Sequence, residues 1–200
     1  MTKAWFKNRL NDHFLLKSRN DDYRSRAAYK LEEINQKYNL LKPGCKVLDL
    51  GAAPGSWSQY VMRTVKGNAK IIAIDLLEIE PIEGVTILQG DFLDEKNQNK
   101  IIELAPKGLD LILSDIAPDT TGVHYADTEN SFIMVNLALD IAQKLLKPGG
   151  CFVAKVFEGA EYQTLLKRAR SMFEFAKSFN PKASLTRSRE LFLVARNFKK

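Results

Sequence analysis

Four ionisable residues stand within or beside apolar segments, and for one of them, Lys155, a charge at such a place is costly unless it is paired or functional. Lys155 stands inside the apolar segment Phe152–Phe157, and Lys30 lies beside the apolar stripe of a helical segment. Asp115 ends an apolar run, and Glu190 begins one. Burying an ammonium or carboxylate group without a partner is costly, so such residues commonly form ion pairs or take part in catalysis. Each also has a simpler interpretation: a lysine that reaches solvent, a solvated helix or strand residue, or a turn cap.

A glycine-containing segment predicts a cofactor-binding loop. An apolar run ends in Asp49-Leu50-Gly51, and Gly55 follows just before a helical segment. Glycines at a turn from strand to helix allow backbone and ligand to approach closely. A dinucleotide-binding loop would have glycine where this chain has Ala53, and Pro54 lacks an N–H group for a phosphate. The segment also lacks the lysine of a P-loop, so both NAD and ATP are disfavoured.

Three aspartates near the ends of successive apolar runs indicate the kind of ligand. Asp75 could accept hydrogen bonds from a ribose diol, Asp91 from an adenine amino group, and Asp49 could meet an ammonium group, directly or through water. Adenosine without phosphates beside several carboxylates points to S-adenosylmethionine, whose sulfonium and ammonium groups are positive. Alternatively, the glycines are ordinary turn residues and the aspartates cap strand ends.

Short apolar runs alternate with longer amphipathic segments, and this alternation predicts the elements that position these residues. We predict strands at 46–50, 71–75, 85–88, 109–115, 151–157 and 191–195, and helices at about 24–38, 57–65, 94–104, 128–146 and 160–175. This pattern is typical of an α/β fold with a mostly parallel, doubly wound sheet. Too few residues separate the last helix from the last strand for another helix, which predicts a hairpin and an antiparallel C-terminal edge strand.

The charge distribution suggests a polyanionic partner. The 200 residues carry a net charge of +6, made up of +5 in residues 1–30, −6 in residues 31–160 and +7 in residues 161–200. Basic ends around an acidic centre favour nucleic acid, with an anionic membrane surface as the second candidate. No run approaches the roughly 18 apolar residues of a transmembrane helix, and the first residues lack a secretory signal pattern. Cys45 and Cys151 are far apart, which disfavours a disulfide framework or a zinc site.

Several separated segments resemble the FtsJ/RrmJ family of S-adenosylmethionine-dependent ribosomal RNA 2′-O-ribose methyltransferases. The matching segments are SRAAYKLEEI, DLGAAPGSWSQ, SDIAPD, FVAKVFEG and SRE, which occur in this order along the chain. The resemblance extends from Tyr23 to about Ala195 and implies a Rossmann-like class I methyltransferase fold. The departures are Ser56, Asp119 and the weakly basic segment 182–186. These departures affect which RNA the protein is expected to prefer, and not the reaction that the resemblance implies.

The resemblance implies a role for each candidate residue. The implied catalytic set is Lys30, Asp115, Lys155 and Glu190. The implied cofactor contacts are Gly55, Trp57, Asp75, Asp91 and Asp115, to which the loop analysis adds Asp49 and Gly51. Trp57 could instead be the first core residue of its helix. We hypothesise that Lys155 accepts the proton of the attacking ribose hydroxyl, which requires an uncharged amine, or that a charged Lys155 stabilises the oxyanion.

The leading functional hypothesis is methyl transfer from S-adenosylmethionine to a ribose 2′-hydroxyl of RNA. By resemblance, the expected target is a uridine in large-subunit (23S-type) ribosomal RNA, free or in an assembled particle. The alternatives are the same chemistry on a transfer RNA anticodon loop or an mRNA cap, and a catalytically silent RNA-binding module. A nicotinamide oxidoreductase is the remaining class, and Ala53 and Pro54 disfavour it.

RNA binding is expected from the two basic ends. Residues 1–22 are predicted to form a basic extension, and residues 23–200 the methyltransferase domain. The expected phosphate contacts are Lys3, Lys7, Arg9, Lys17, Arg19, Arg24, Arg26, Arg168, Arg170, Lys182, Arg187 and Arg189, and the expected base-stacking residues are Trp5, Phe6 and Tyr23. We further expect a monomer without metal or membrane contacts, located in the cytoplasm, or in mitochondria if the source is eukaryotic.

Overall fold

Seven strands form one mixed sheet in the computed structural model, which describes residues 13–116, 124–184 and 189–199. The strands are β1 Cys45–Leu50, β2 Ala69–Asp75, β3 Val85–Gln89, β4 Leu109–Ser114, β5 Leu146–Phe157, β6 Phe173–Phe179 and β7 Glu190–Phe198. The helices are α1 His13–Asn20, α2 Ala27–Tyr38, α3 Ser56–Thr64, α4 Glu95–Leu104, α5 His124–Leu145 and α6 Tyr162–Met172. The strand order is β3-β2-β1-β4-β5-β7-β6. Strands β1 to β5 pair in parallel and the last two pair antiparallel, which confirms the predicted fold class.

Helices cover both faces of the sheet, and this explains why its central strands are uninterrupted apolar runs. On one face, Leu31 of α2 and Val61 of α3 pack with Val153 of β5. On the other face, α4, α5 and α6 pack against the sheet, and Ala138 and Leu165 are fully buried there. The candidate catalytic side chains lie on the α2 and α3 side.

Helix α2 forms because apolar residues recur along it at the helical period. Ala28, Leu31 and Ile34 are completely buried, and Tyr38 is nearly so. The helix ends at Asn39, whose φ of 50° lies in the left-handed region and whose N–H donates to the carbonyl oxygen of Asn35. This C-terminal arrangement satisfies a carbonyl that the last helical turn would otherwise leave without a partner.

The observed elements differ from the predicted ones mainly around the last helix and strands. Helix α6 ends at Met172 and not near Phe175, because residues from Phe173 onward form the outermost strand and pair with β7. The C-terminal strand β7 therefore lies between β5 and β6, and the last two strands together make the antiparallel edge. Strand β5 begins at Leu146, earlier than predicted, and α5 begins at His124, a few residues before the predicted start near residue 128.

The described part of the N-terminal extension packs against the helices on the α2 side. The hydroxyl of Tyr29 donates to the Asp21 carboxylate at 2.7 Å, and Lys17 lies 3.8 Å from the carboxylate of Glu32. Arg63, at the end of α3, donates to the backbone carbonyl oxygens of Asp21 and Asp22. Residues 13–22 are thus attached to the domain by side chains of α2 and α3. The boundary at residue 22 stays a prediction, and residues 1–12 lie outside the described part.

The described residues contain neither a membrane-spanning helix nor a metal-binding cluster. No helix there is both long and apolar enough to cross a membrane. No group of three or more His, Cys, Asp or Glu side chains there is arranged to hold a metal ion. Burial raises the pKa of both thiols, Cys45 and Cys151, which favours packing over reactivity for these residues.

Candidate active site

The carboxyl ends of the parallel strands meet at one edge of the sheet, and the predicted site residues lie there. Leu50 of β1 is in register with Ile74 of β2 and with Ser114 of β4. Gly51, Asp75 and Asp115 each come directly after these positions along their own segments, so they lie side by side. The order of the sheet reverses between β1 and β4, which is where ligands bind in open α/β sheets.

The structure brings the four predicted catalytic residues together as two buried ion pairs. The Lys30 ammonium lies 2.6 Å from Oε1 of Glu190, and these side chains are 8% and 10% exposed. The Lys155 ammonium lies 2.9 Å from Oδ1 of Asp115 and donates to the backbone oxygen of Asp115 at 2.7 Å. Each lysine is therefore matched by one carboxylate, which offsets the cost of burying the charges.

Alternation along the strands places all of these groups on one face. The strand residues two positions before Asp49, Asp115 and Lys155 pack under α2 and α3. The residue two positions after Glu190 packs there as well. Side chains two positions apart on a strand point to the same face. Lys30 reaches this face from α2, and its ammonium lies 5.7 Å from the ring centre of Phe192. Phe192 is the β7 residue in register with Lys155, so the two ion pairs are neighbours.

Glu190 is held in its ionised form by its surroundings. Burial, the largest single influence, would raise the pKa of its carboxyl, but the Lys30 ammonium together with neighbouring groups outweighs burial, so the pKa is lowered. The hydroxyl of Ser184 and the ammonium of Lys155 act in the same direction as Lys30. An ionised Glu190 gives Lys30 a fixed position beside the Lys155 and Asp115 pair.

The pKa of the Asp49 carboxyl is shifted in the opposite direction to that of Glu190. Burial raises the pKa of Asp49 to about 7, and the negative charges of Asp115 and Asp75 contribute to the increase. The hydroxyl of Ser58 donates to Oδ2 at 2.7 Å and opposes the increase, whereas Oδ1 is buried without a hydrogen-bond partner. Three carboxylates at adjacent strand ends therefore create a negative region that favours a cationic ligand.

Two glycines shape the loop between β1 and α3. Gly51 has a φ of 66°, and a Cβ atom there would overlap the side chain of Ile116. Gly55 precedes the first residue of α3 with a φ of 104°, and a Cβ atom there would lie 2.6 Å from Cδ1 of Ile82. Both positions therefore favour glycine for their conformation, and a Cβ atom at either would also displace a neighbouring side chain.

Asp75 and Asp91 act as turn caps in the structure. Asp75 accepts hydrogen bonds from the N–H groups of Ala53 and Leu77, both at 2.9 Å. Asp91 accepts one from the N–H of Leu93, also at 2.9 Å. The capping interpretation is thus correct for both, and it does not compete with ligand binding, because a carboxylate can accept about four hydrogen bonds. The Asp75 contact also attaches the glycine loop to the end of β2.

The side chain of Trp57 belongs to the core. Trp57 is 2% exposed, its ring centre lies 5.8 Å from that of Phe192, and its indole N–H donates to the backbone oxygen of Ala27 at 2.8 Å. This is the simpler of the two interpretations that the sequence allowed. Any cofactor contact at this position has to come from the backbone N–H at the start of α3.

Arg24 has a role that the sequence did not reveal. Its guanidinium donates to the backbone oxygens of Pro54, Glu80 and Pro81 at 2.8, 2.7 and 3.0 Å. It therefore connects the glycine loop to the loop after β2 and is not free to bind RNA as predicted. No local pattern could indicate this, because the acceptors are backbone atoms far away along the chain.

Several other predicted RNA contacts also have partners within the protein. Arg168 donates to Asn136 and Asp140 of α5, and the ring of Tyr23 lies beneath the guanidinium of Arg63. The exposed predicted contacts are Arg19, Arg170, Lys182 and Arg189. The predicted residues outside the described part are Lys3, Trp5, Phe6, Lys7, Arg9 and Arg187.

The fold and the site together define a class of protein. A parallel sheet extended by two antiparallel strands, a glycine loop after β1 and acidic groups at the adjacent strand ends are the features of a Rossmann-like class I methyltransferase. The family model described as FtsJ-like methyltransferase matches residues 23–198, and the chain belongs to this family.

Relatives and a solved structure agree with this assignment. The chain is 43% identical to Ribosomal RNA large subunit methyltransferase E of Variovorax paradoxus, over 100% of this chain and 94% of that protein. It is 44% identical to the protein of the same name from Acinetobacter baumannii, over 100% and 93% of the two chains. A crystal structure described as a ribosomal RNA methyltransferase from Plasmodium falciparum superposes with a TM-score of 0.81 at 33% identity, covering 88% of this chain and 98% of that one.

Proposed function

We propose that this chain transfers the methyl group of S-adenosylmethionine to a ribose 2′-hydroxyl of large-subunit ribosomal RNA. One observation carries the proposal: the Lys30–Glu190 and Lys155–Asp115 pairs lie side by side, next to the glycine loop. Relatives that match the whole chain are named for ribosomal RNA methylation, which supports this RNA as the substrate. Because that substrate is made and assembled in the same compartment, we propose a cytoplasmic location in a bacterial source.

The residues around the glycine loop fit S-adenosylmethionine. Asp75 and Asp91 have acceptor capacity left for a ribose diol and an adenine amino group, and the positive φ angles of Gly51 and Gly55 shape the loop beside them. The buried Oδ1 of Asp49, which has no hydrogen-bond partner, suits the ammonium group, directly or through water. When bound, the cofactor supplies a methyl group on a positively charged sulfur.

The protein groups around Lys155 orient the reaction and move one proton. The ribose 2′-oxygen would take the methyl group as the carbon–sulfur bond of the cofactor breaks, and Nζ of Lys155, after its ammonium has released one proton to solvent, would accept the hydroxyl proton. Asp115 holds Nζ through its carboxylate and its backbone oxygen, which sets the direction of the lysine. Lys30 and Glu190 lie next to the Lys155–Asp115 pair and position the ribose. Alignment of the oxygen, the methyl group and the sulfur supplies much of the rate.

The exposed basic residues on the C-terminal side of the domain suit an RNA backbone. Lys182 and Arg189 are exposed, and Arg189 directly precedes Glu190 of the Lys30 pair. Contacts of this kind add affinity that falls with salt and carries little sequence choice. We propose that the protein acts as a monomer, which light scattering of the purified chain measures directly.

Transfer of labelled methyl groups tests the proposal. The purified chain is incubated with labelled S-adenosylmethionine and large ribosomal subunits that lack 2′-O-methylation, and the labelled nucleotide is then mapped. We expect a single labelled ribose in the large-subunit RNA. Label in transfer RNA or mRNA would identify one of the alternative substrates. Cofactor binding without transfer to any RNA would favour a silent binding module and contradict the proposal.

Substitution of Lys155 separates its two possible roles. We expect Lys155→Ala to lose methyl transfer but to keep cofactor binding. The matched control is Lys177→Ala, which removes an exposed lysine of β6 and should keep both properties. If Lys155 is the base, Lys155→Arg is also inactive, because an arginine does not release its proton in proteins. If a charged Lys155 stabilises the oxyanion, Lys155→Arg keeps part of the activity with an altered pH–rate profile. Full activity of Lys155→Ala would exclude both roles.

A further inference from the structure

Helix α2 makes a second contact with the segment that precedes Glu190. One carboxylate oxygen of Glu33 accepts a hydrogen bond from the backbone N–H of Lys182, and the other accepts one from the N–H of Ala183, both at 2.8 Å. Glu33 is three positions after Lys30, so the two side chains leave neighbouring turns of the same helix. The helix therefore contacts both the candidate catalytic Glu190 and the segment before it.

The segment that Glu33 contacts is itself part of the surroundings of Glu190. The N–H of Ser184 donates to the backbone oxygen of Pro181 at 3.1 Å, which closes a turn around Lys182 and Ala183. Ala183 is completely buried, so the turn is packed against the domain. The hydroxyl of Ser184, the last residue of this turn, helps to keep Glu190 ionised.

Glu33 differs from its neighbour Glu32 in a way that indicates a specific role. The side chain of Glu32 is 33% exposed and lies 3.8 Å from the Lys17 ammonium, which is an ordinary surface ion pair. Both oxygens of Glu33 instead accept hydrogen bonds from consecutive backbone N–H groups of a distant segment. Charge-assisted bonds of this kind are stronger than neutral ones and also fix direction.

We propose that Glu33 is a positioning residue, which holds the turn 181–184 so that Glu190 meets Lys30 in the geometry that the ribose requires. This inference rests on the proposed function, because the reaction at Lys155 is the process that the geometry serves. The hydrogen bonds described for Glu33 go to the turn 181–184 and not to the glycine loop. We therefore expect Glu33 to affect the reaction with RNA and not the binding of the cofactor. The loss of Glu33 should lower the turnover of bound RNA and leave cofactor affinity unchanged.

Three variants test the inference: Glu33→Ala, Glu33→Gln and the matched control Glu32→Ala. Amide hydrogen exchange at Lys182 and Ala183 reports the contact itself, and NMR titration reports the pKa of the Glu190 carboxyl. Methyl transfer to undermethylated large ribosomal subunits gives kcat and KM, and calorimetry with S-adenosylmethionine gives the cofactor Kd.

We expect Glu33→Ala to accelerate exchange at both amides and to raise the pKa of Glu190. Its kcat for RNA should fall about 10-fold to 100-fold, the usual effect of a small displacement at a catalytic site. Glu33→Gln keeps one oxygen acceptor, so it should recover part of the exchange protection and of kcat. Glu32→Ala should resemble the parent in every measurement, and the cofactor Kd should not change in any variant.

Two results would overturn the inference. The first is parental kcat in Glu33→Ala despite fast exchange at the two amides. The second is an equal loss of cofactor affinity and turnover, because that indicates general destabilisation. If Glu33→Ala does not fold, the same criteria apply to Glu33→Gln. If the parent chain methylates no RNA, the proposed function fails, and the Glu190 titration and hydrogen exchange still decide whether Glu33 positions Glu190.

Discussion

Breaking the Lys30–Glu190 pair by removing one partner should lower the free energy of unfolding strongly, and this loss should depend on pH. Both side chains are about nine-tenths buried, and the two charged atoms are 2.6 Å apart. Lys30→Met keeps the aliphatic packing but leaves the Glu190 carboxylate buried without its main partner. Removing one member of a buried pair typically costs about 3–5 kcal/mol. We expect the lower end, about 3 kcal/mol, because Lys155 also stabilises the charge on Glu190.

The direction of the pH dependence follows from the lowered pKa of Glu190. In the parent chain the contribution of the pair is complete above the ordinary glutamate pKa and disappears as the pH falls through the lowered pKa of the folded state. In Lys30→Met the pKa of Glu190 should instead be raised by burial. The difference in the free energy of unfolding between parent and variant should therefore be largest near neutral pH and smaller at about pH 4.5, near the ordinary glutamate pKa.

Urea unfolding at the two pH values, followed by circular dichroism, measures this difference. The double variant Lys30→Met/Glu190→Gln has no buried charge at this pair and should recover most of the loss at neutral pH. Lys37→Met is the control, because Lys37 is an exposed lysine of the same helix. A loss of less than about 1 kcal/mol in Lys30→Met would mean that solvent screens the pair as it screens surface pairs. An equal loss at both pH values would contradict the role of the ionised Glu190.

Three further predictions concern the loop and the strand ends. The pKa of Asp49 is raised to about 7, so its contribution to the free energy of unfolding falls as the pH rises from about 4 to 7. Asp49→Asn should therefore be more stable than the parent above pH 7, as measured by urea unfolding. The same variant should bind S-adenosylmethionine more weakly, as measured by calorimetry. Gly55→Ala should lose about 1–3 kcal/mol and more than Gly67→Ala, because both residues have positive φ but a Cβ atom has open space only at Gly67. Similar losses in thermal melts of the two variants would exclude crowding at the loop. Arg24→Lys should raise the cofactor Kd measured by calorimetry, because a lysine cannot hold the three carbonyl oxygens as the guanidinium does. The salt dependence of RNA affinity should not change, and a shallower salt dependence would instead identify Arg24 as a phosphate contact.

Local patterns were enough to predict the fold class and the edge of the sheet where the site lies. Uninterrupted apolar runs indicated strands that are covered on both faces, and the structure has a strand at each predicted place. Asp75 and Gly51 could be assigned to strand ends because the run that precedes each of them defines the end. Residues at the carboxyl ends of parallel strands necessarily lie at the same edge, so the sequence alone predicted their proximity.

The sequence was less informative where a segment has both helical and strand character. Residues 173–175 continue the amphipathic pattern of α6, and they form β6 because the unpaired edge of β7 is available to them. The hydrogen bonds that decide this come from a strand that follows later in the chain. Propensity within the segment therefore could not predict the end of the helix.

The tertiary structure alone decided which charged groups are partners. The sequence showed that Lys30, Lys155 and Glu190 were unusual, but it could not pair Lys30 with Glu190, because the fold brings them together from opposite ends of the chain. The same holds for Arg24 and Glu33, whose partners are backbone atoms of distant turns and leave no mark on residue type. Residue types and local periods determine which groups need a partner, whereas the packing of α2 against the sheet determines which partner each group finds.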